Sequence, residues 1–319
     1  MYPLLLKAPT KDYFWGGNRL VTEFGFEGKG PVTAEAWVLA CHKDGTSLVE
    51  NGPYAGKQLD WVLEQWGSDA LGPKGAAFSY FPLLIKFIDA RDQLSVQVHP
   101  DNAYALEHEG EYGKTEMWYV VDCEPGAHLI YGFQKDITKE EFRSRIEDNT
   151  ITEVVNSVPV HRGDVFFIPA GTMHAIGAGI LIAEVQQNSN TTYRISDFGR
   201  LGLDGKTRTL HVDKAVDVTD TSHTEISLEQ ETDFLAVSGG CVRSLASCPF
   251  FTADIMKVED RVTVGRDDSF VSLVCLDGTA ALKVDDTTKL SLKKGSSIFI
   301  PAGITAQLFG EAEFLLSRV

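Results

Sequence analysis

The sequence predicts a mainly β protein of two jelly-roll halves with a few helical insertions, and three observations carry that expectation. Short apolar runs recur along the chain, among them "AEAWVLAC", "LLIKFIDA", "LSVQVHP", "MWYVVD", "GILIAEVQ" and "SFVSLVCLDG", and Gly, Pro, Asn or Asp interrupts them. One turn is written twice, as "RGDVFFIPAGTMHAIG" at 162–177 and "KGSSIFIPAGITAQLF" at 294–309. Helical pattern is confined to two main places, "GKQLDWVLEQWG" at 56–67 and the segment from Thr138 to about Val155, where "TKEE" has the form of a capping box.

The apolar runs have the length of antiparallel strands, so the helical stretches are appendages to a β core. A chain of 319 residues, 43% of them hydrophobic, exceeds the usual single-domain size and can bury a sizeable core. Two domains are therefore expected, 1–225 and 226–319, parted in the polar, acidic stretch "DVTDTSHTEISLEQETD" around 217–233. The repeat then falls once in each half. Aligned from Gly163 and Gly295, six of nine positions are identical, including both Phe-Ile-Pro-Ala-Gly pentapeptides. Such a segment suits a strand that enters from a Gly turn, ends at a Pro unable to donate to the ladder, and turns again through Gly.

Composition excludes several function classes. The net charge of −16 and a pI near 4.9, without any run of Lys and Arg, argue against a nucleic-acid surface. An anionic ligand must therefore meet a locally basic pocket. Cys41, Cys123, Cys241, Cys248 and Cys275 lack CxxC spacing and are expected as reduced thiols, which favours the cytoplasm. The N-terminal "MYPLLLK" is too short an apolar stretch for a signal peptide, and no run is fit to span a membrane.

Gly163, Pro169, Gly171 and His174 spell G-x5-P-x-G-x2-H, which resembles the second signature motif of the cupin superfamily of jelly-roll barrels. In the second copy Ala306 stands where the first has His174, so one half is expected to bind metal and the other to be structural. Partners for His174 are found by strand alternation. In "LSVQVHPDN" Gln97 and His99 share a face, and in "GKTEMWYVV" Lys114, Glu116 and Trp118 do. Two imidazoles, one carboxylate and one amide oxygen suit Zn²⁺ and leave its charge partly uncompensated. His42, His108, His128, His161, His211 and His223 show no such partners in the sequence. After an apolar strand, "QNSNTTYR" sets Arg194 among Asn190 and hydroxyl side chains, a pattern suited to a polyhydroxylated, anionic ligand.

Taken in order, "FWGGNRL", "AEAWVLACH", "LSVQVHPDNAYA", "GKTEMWYV", "PAGTMHAIGAG" and "QNSNTTYR" resemble the type I mannose-6-phosphate isomerases in their short bacterial form. The match runs from about residue 13 to 200, and the second half is consistent with it. The resemblance implies one Zn²⁺ per chain held by Gln97, His99, Glu116 and His174. It also implies catalytic roles for Arg194 and Lys114, and substrate contacts from Lys86, Trp15 and Asn190. Longer members carry Asp where this chain has Asn190, and often a His where it has Gly113, so proton-transfer roles given to those side chains do not carry over.

The implied reaction interconverts mannose 6-phosphate and fructose 6-phosphate through a cis-enediol. Sequence leaves its general base open among His99, a zinc-bound water and Lys114. Two alternatives stand beside it: a metal-dependent cupin oxygenase, because two His and a Glu also describe a facial triad, and a sugar-binding cupin without turnover. The expected partner is a sugar phosphate, with neither nucleic acid nor membrane, for a monomer or homodimer in the cytoplasm.

Overall fold

The computed structural model describes residues 1–201, 205–226, 233–284 and 289–319. It is mainly β, as expected, and each half is a jelly-roll-like set of antiparallel strands. In the first half a six-stranded sheet runs in the order Val165–Ile168, Glu116–Cys123, Ile180–Gln187, Leu83–Ala90, Glu35–Leu39 and Thr10–Lys11. A five-stranded sheet faces it, ordered Val155–Pro159, His128–Phe133, His174–Ala175, Val96–Val98 and Tyr193–Ser196. The strand paths are open, so the first half is a pair of layers rather than a hydrogen-bonded cylinder among the described residues.

The strand Leu83–Ala90 is buried from end to end because both of its faces are covered. Leu83, Ile85 and Phe87 pack into a layer shared with Phe251, Val274, Phe299 and Leu315 of the second half. Ile88 and Ala90 face the other way, toward Trp118, Val120 and Ile182. Burying a Phe or Leu completely stabilises by about 1.5–3 kcal/mol, and this layer joins the halves back to front. The C-terminal half is the main part of a ten-stranded sheet that also takes in two strands from the start of the chain. Leu4–Lys7 pairs antiparallel with Ser297–Ile300, with Leu4 opposite Phe299, and Leu48–Val49 lies on its other side. The polar stretch expected to part the halves spans 217–233, of which 227–232 lie outside the described residues.

The repeated segment folds alike in both places. Gly163 and Gly295 have φ of 94° and 89°, the left-handed region that favours glycine. Their amides donate to Val120 O at 2.8 Å and Cys275 O at 2.9 Å. Each copy then forms a four-residue strand, Val165–Ile168 or Ser297–Ile300, and turns after proline. Thr172 N donates to Pro169 O at 3.1 Å, and Ile304 N to Pro301 O at 3.2 Å.

The expected helix within 56–67 is Leu59–Trp66. The second is shorter than expected, Lys139–Glu147, and the chain re-enters a strand at Val155. Asn149, at φ 56°, takes the chain out of helical geometry just past its end. Thr138 Oγ1 caps it by accepting from Glu141 N at 3.1 Å, while the Glu141 carboxylate turns forward to Arg145 at 2.8 Å. Half of the capping box is thus given to an i,i+4 ion pair. Among the helices absent from the sequence reading, Asn102–His108 and Val212–Val218 are tied together where Tyr104 of the first donates to Asp217 of the second at 2.9 Å. The five cysteines are free, and among the described residues no helix is long and apolar enough to cross a membrane.

Candidate active site

The site lies between the two facing sheets of the first half, and strand register decides what points into it. In the five-stranded sheet His174 pairs with Gln97, and Gln97 pairs with Arg194 on its other side. Residues directly opposite on antiparallel strands share a face, so these three side chains form one row. His99 follows two positions after Gln97. The six-stranded sheet answers with Glu116 and, on the next strand, Glu184, whose register partners are Trp118 and Lys86.

These rows bring His99, Glu116 and His174 together, with their ligand atoms within 4.8 Å of one another and all three residues buried. His174 Nε2 is 3.2 Å and His99 Nε2 is 3.8 Å from the Glu116 carboxylate. The Gln97 amide lies 3.4 Å from His174 Nε2. On their far sides, His99 Nδ1 sits 2.9 Å from Thr191 O and His174 Nδ1 sits 2.9 Å from Thr172 O. A carbonyl can only accept, so each Nδ1 carries the proton and each Nε2 presents its lone pair inward, the tautomer a metal requires. Burial pushes the His174 pKa down to about 3 and that of His99 well below the usual range, so both rings are neutral.

The glutamates behave oppositely although both are buried. Burial and the neighbouring Glu184 push the Glu116 carboxyl up to about 8. Burial also opposes the charge on Glu184, but Lys114 and Lys86 outweigh it and hold the carboxyl at about 2. Lys114 Nζ is 2.7 Å from Glu116, 3.2 Å from His99 Nε2 and 3.8 Å from Glu184, while Lys86 Nζ is 3.4 Å from Glu184. Neither oxygen of Glu116 has a hydrogen-bond partner of good geometry at zero exposure. A buried carboxylate whose only close cation is Lys114 among the described residues, beside two neutral imidazoles, is a donor set that a divalent cation satisfies.

A cavity of about 290 Å³ opens in front of this cluster. It gathers Trp15, Lys86, Gln97, Lys114, Asn190 and Arg194, so every residue singled out from the sequence lies in its wall or in the cluster behind it. Arg194 donates to Thr209 O at 2.9 Å through one terminal nitrogen, and its buried Nε has no partner among the described residues. Burial and the nearby Arg208 lower its pKa. Asn190 reaches outward and donates to Asp44 at 2.8 Å. Sequence reasoning missed Glu184, Glu35 and Arg208, which also line the cavity. The signal for the first two was a single acid inside an apolar strand, in "GILIAEVQ" and "TAEAWVL". Trp118 Nε1 donates to Glu184 at 2.9 Å and Trp37 Nε1 to Glu35 at 2.7 Å, which is how two acids are accommodated there.

Comparison with known proteins finds likeness over the full chain. A family model for the catalytic domain of type I phosphomannose isomerases matches residues 4–121, and one for the mannose-6-phosphate isomerase cupin domain matches 242–319. A mannose-6-phosphate isomerase of Streptococcus mutans is 39% identical over 99% of this chain and 98% of its own. A probable mannose-6-phosphate isomerase of Bacillus subtilis, GmuF, is 36% identical over 99% of both chains. The crystal structure of a Bacillus subtilis mannose 6-phosphate isomerase superposes with a TM-score of 0.92 at 32% identity, covering 100% of both chains.

Proposed function

The chain belongs to the type I mannose-6-phosphate isomerases, and from that premise we propose that it is a zinc enzyme interconverting mannose 6-phosphate and fructose 6-phosphate through a cis-enediol. One observation supports the metal-assisted form of this reaction above all: the buried His99–Glu116–His174 cluster stands behind a cavity bordered by Lys86, Lys114 and Arg194. In this reading Gln97, His99, Glu116 and His174 hold one zinc ion. When bound, zinc supplies Lewis-acid stabilisation for the negative charge that develops on the sugar oxygens at C1 and C2.

The remaining steps belong to the chain's own groups. Arg194, with Arg208 beside it, offers guanidinium donors to the substrate phosphate, and binding there uses remote contact energy to place C1 and C2. Trp15 supplies an apolar wall, Asn190 and Lys86 polar contacts to the sugar. The proton that moves between C1 and C2 must be carried by a group on the cavity wall. His99 is not free to do so, since its Nδ1 is spent on Thr191 O and its Nε2 faces Glu116. In this reading Lys114 and Glu184, 3.8 Å apart on a wall that also holds Lys86 and Glu35, are assigned that task, with Lys114 also placed to steady the enediolate. Lys114→Met and Glu184→Gln separate them: the base is the residue whose loss stops exchange of the C2 proton with deuterium while zinc stays bound. The same reading takes residues 1–225 as the catalytic domain and 226–319 as its metal-free companion, in a cytoplasmic monomer or homodimer.

The direct test is fructose 6-phosphate formation by purified protein before chelation, after chelation and after zinc is restored. Loss and recovery with zinc are expected. Substrate binding without turnover in metal-loaded protein would return the sugar-binding reading, and activity that follows iron and consumes oxygen would return the oxygenase.

A further inference from the structure

We propose that Glu111 is a positioning residue for the metal site: its carboxylate ties down the loop 189–191, whose Thr191 carbonyl orients the imidazole of His99. The inference rests on the metal-site reading above. Glu111 lies a few residues past the helix Asn102–His108, outside the cavity wall, with a side chain 15% exposed. Its Oε2 is 3.3 Å from Asn190 N, 3.3 Å from Thr191 Oγ1 and 3.5 Å from Ser189 Oγ, all three of which donate to it. One carboxylate oxygen therefore collects donors from three consecutive residues. Its other oxygen pairs with Lys43, and His42 Nε2 stands 3.5 Å from Oε2.

The hairpin that supplies His42 and Lys43 holds the same loop independently. Asp44 accepts from Asn190 Nδ2 at 2.8 Å, and Cys41 O accepts from Asn188 Nδ2 at 2.9 Å. Glu111 is the link between that hairpin and the backbone of the loop. Burial opposes its charge, but Lys43 and the Asn190 amide outweigh that and hold its carboxyl below the ordinary range.

The consequence lies one residue further on. Thr191 O accepts from Nδ1 of His99 at 2.9 Å, and this hydrogen bond leaves the lone pair on Nε2. Without a fixed carbonyl the ring can turn, or adopt the tautomer whose proton sits on Nε2 and blocks ligation. His174 has a different anchor, Thr172 O, two residues before it in its own turn. Glu111 thus acts on one of the two imidazoles and leaves the other alone.

The test is zinc affinity of the folded protein, read by competition with a chromophoric chelator. Glu111→Ala is expected to weaken zinc binding about ten- to a hundredfold, the usual cost of removing support from a metal ligand. Glu111→Gln, which keeps an acceptor oxygen for the loop, should recover most of it. With Co²⁺ as a probe, the visible spectrum of the alanine variant should shift while that of the glutamine variant stays near the parent's. Should Glu111→Ala not fold, Thr191→Val removes one donor to Glu111 alone, and Ser189→Ala removes another together with the acceptor of Thr191 N at 3.2 Å, both leaving Glu111 and the Thr191 carbonyl. Each is expected to weaken zinc binding by about threefold, the scale of one hydrogen bond. Folded variants that bind zinc as tightly as the parent, losing only thermal stability, would overturn the proposal and make Glu111 a stabilising residue alone. A parent protein that binds no divalent cation would instead overturn the metal-site reading, and this inference with it.

Discussion

The two halves can be compared residue for residue at the place where the first carries its cluster. His174 opposes Gln97 across the strands, and Ala306 opposes Val264 in the equivalent pair. Glu116 opposes Ile168, and Val271 opposes Ile300. Glu184 opposes Trp118, and Leu316 opposes Leu273. Four polar groups of the first half thus correspond to Val264, Val271, Ala306 and Leu316 in the second, where Val264, Val271 and Leu316 border an apolar cavity of about 260 Å³ and Ala306 is buried in the apolar core beside it. The turn before the site keeps the same glycines, proline and backbone hydrogen bonds in both copies. The jelly roll therefore needs the turn and an apolar interior, and it does not need the ligands. In the first half, buried charge at this position is a cost that the fold bears for chemistry, since an apolar set fills the same frame in the second.

His174→Ala writes the second half's residue into the first and should have the largest effect. Turnover is expected to fall by about a thousandfold or more through loss of charge stabilisation at the metal. Circular dichroism should stay native, as the apolar twin implies; an unfolded variant would break the comparison. Phe299→Ala attacks the opposite role, since Phe299 belongs to the repeat, pairs with Leu4 and packs behind the site. Denaturant titration should show a loss of about 3–5 kcal/mol. Its zinc content and its kcat, measured well below the melting temperature, should be close to the parent's. Arg194→Ala should lower kcat/KM by about a hundredfold with zinc retained, and unimpaired turnover would remove it from the site. The smallest effect is expected for Ala306→His. It restores the histidine without its partners, so zinc stoichiometry should not rise, and burial of an unpaired imidazole should cost about 1–3 kcal/mol.

These outcomes also mark what could be read from sequence. The repeat was legible because glycine at positive φ and proline at a strand end are backbone requirements that few residues meet. Gln97 with His99, and Lys114 with Glu116, were legible because strand side chains alternate, so residues two apart share a face. Glu184 and Glu35 were not, because the strands carrying them are buried on both faces and alternation gives no contrast. Lys86 sits in such a strand too, and only the family resemblance drew it out. Which side it faces follows from its register opposite Glu184, a partner nearly a hundred residues away in the chain. Arg208 and Glu111 lie in loops whose approach to the site is a tertiary fact. The helix at 139–147 was overextended because Asn149 adopts a left-handed conformation that the sequence did not announce.

The strand Leu4–Lys7 makes its ladder with Ser297–Ile300, so two strands nearly three hundred residues apart must meet. Until then Leu4 and Leu6 lack part of the apolar layer that buries them, and the sheet edge at Ser297–Ile300 has no neighbour on that side. Contacts of such long sequence separation form slowly, because the chain between them must be ordered first. Folding should therefore finish with a docking step, in which the strand Leu4–Lys7 closes the second half. Removal of Leu4–Lys7 should yield chains prone to associate through that open edge.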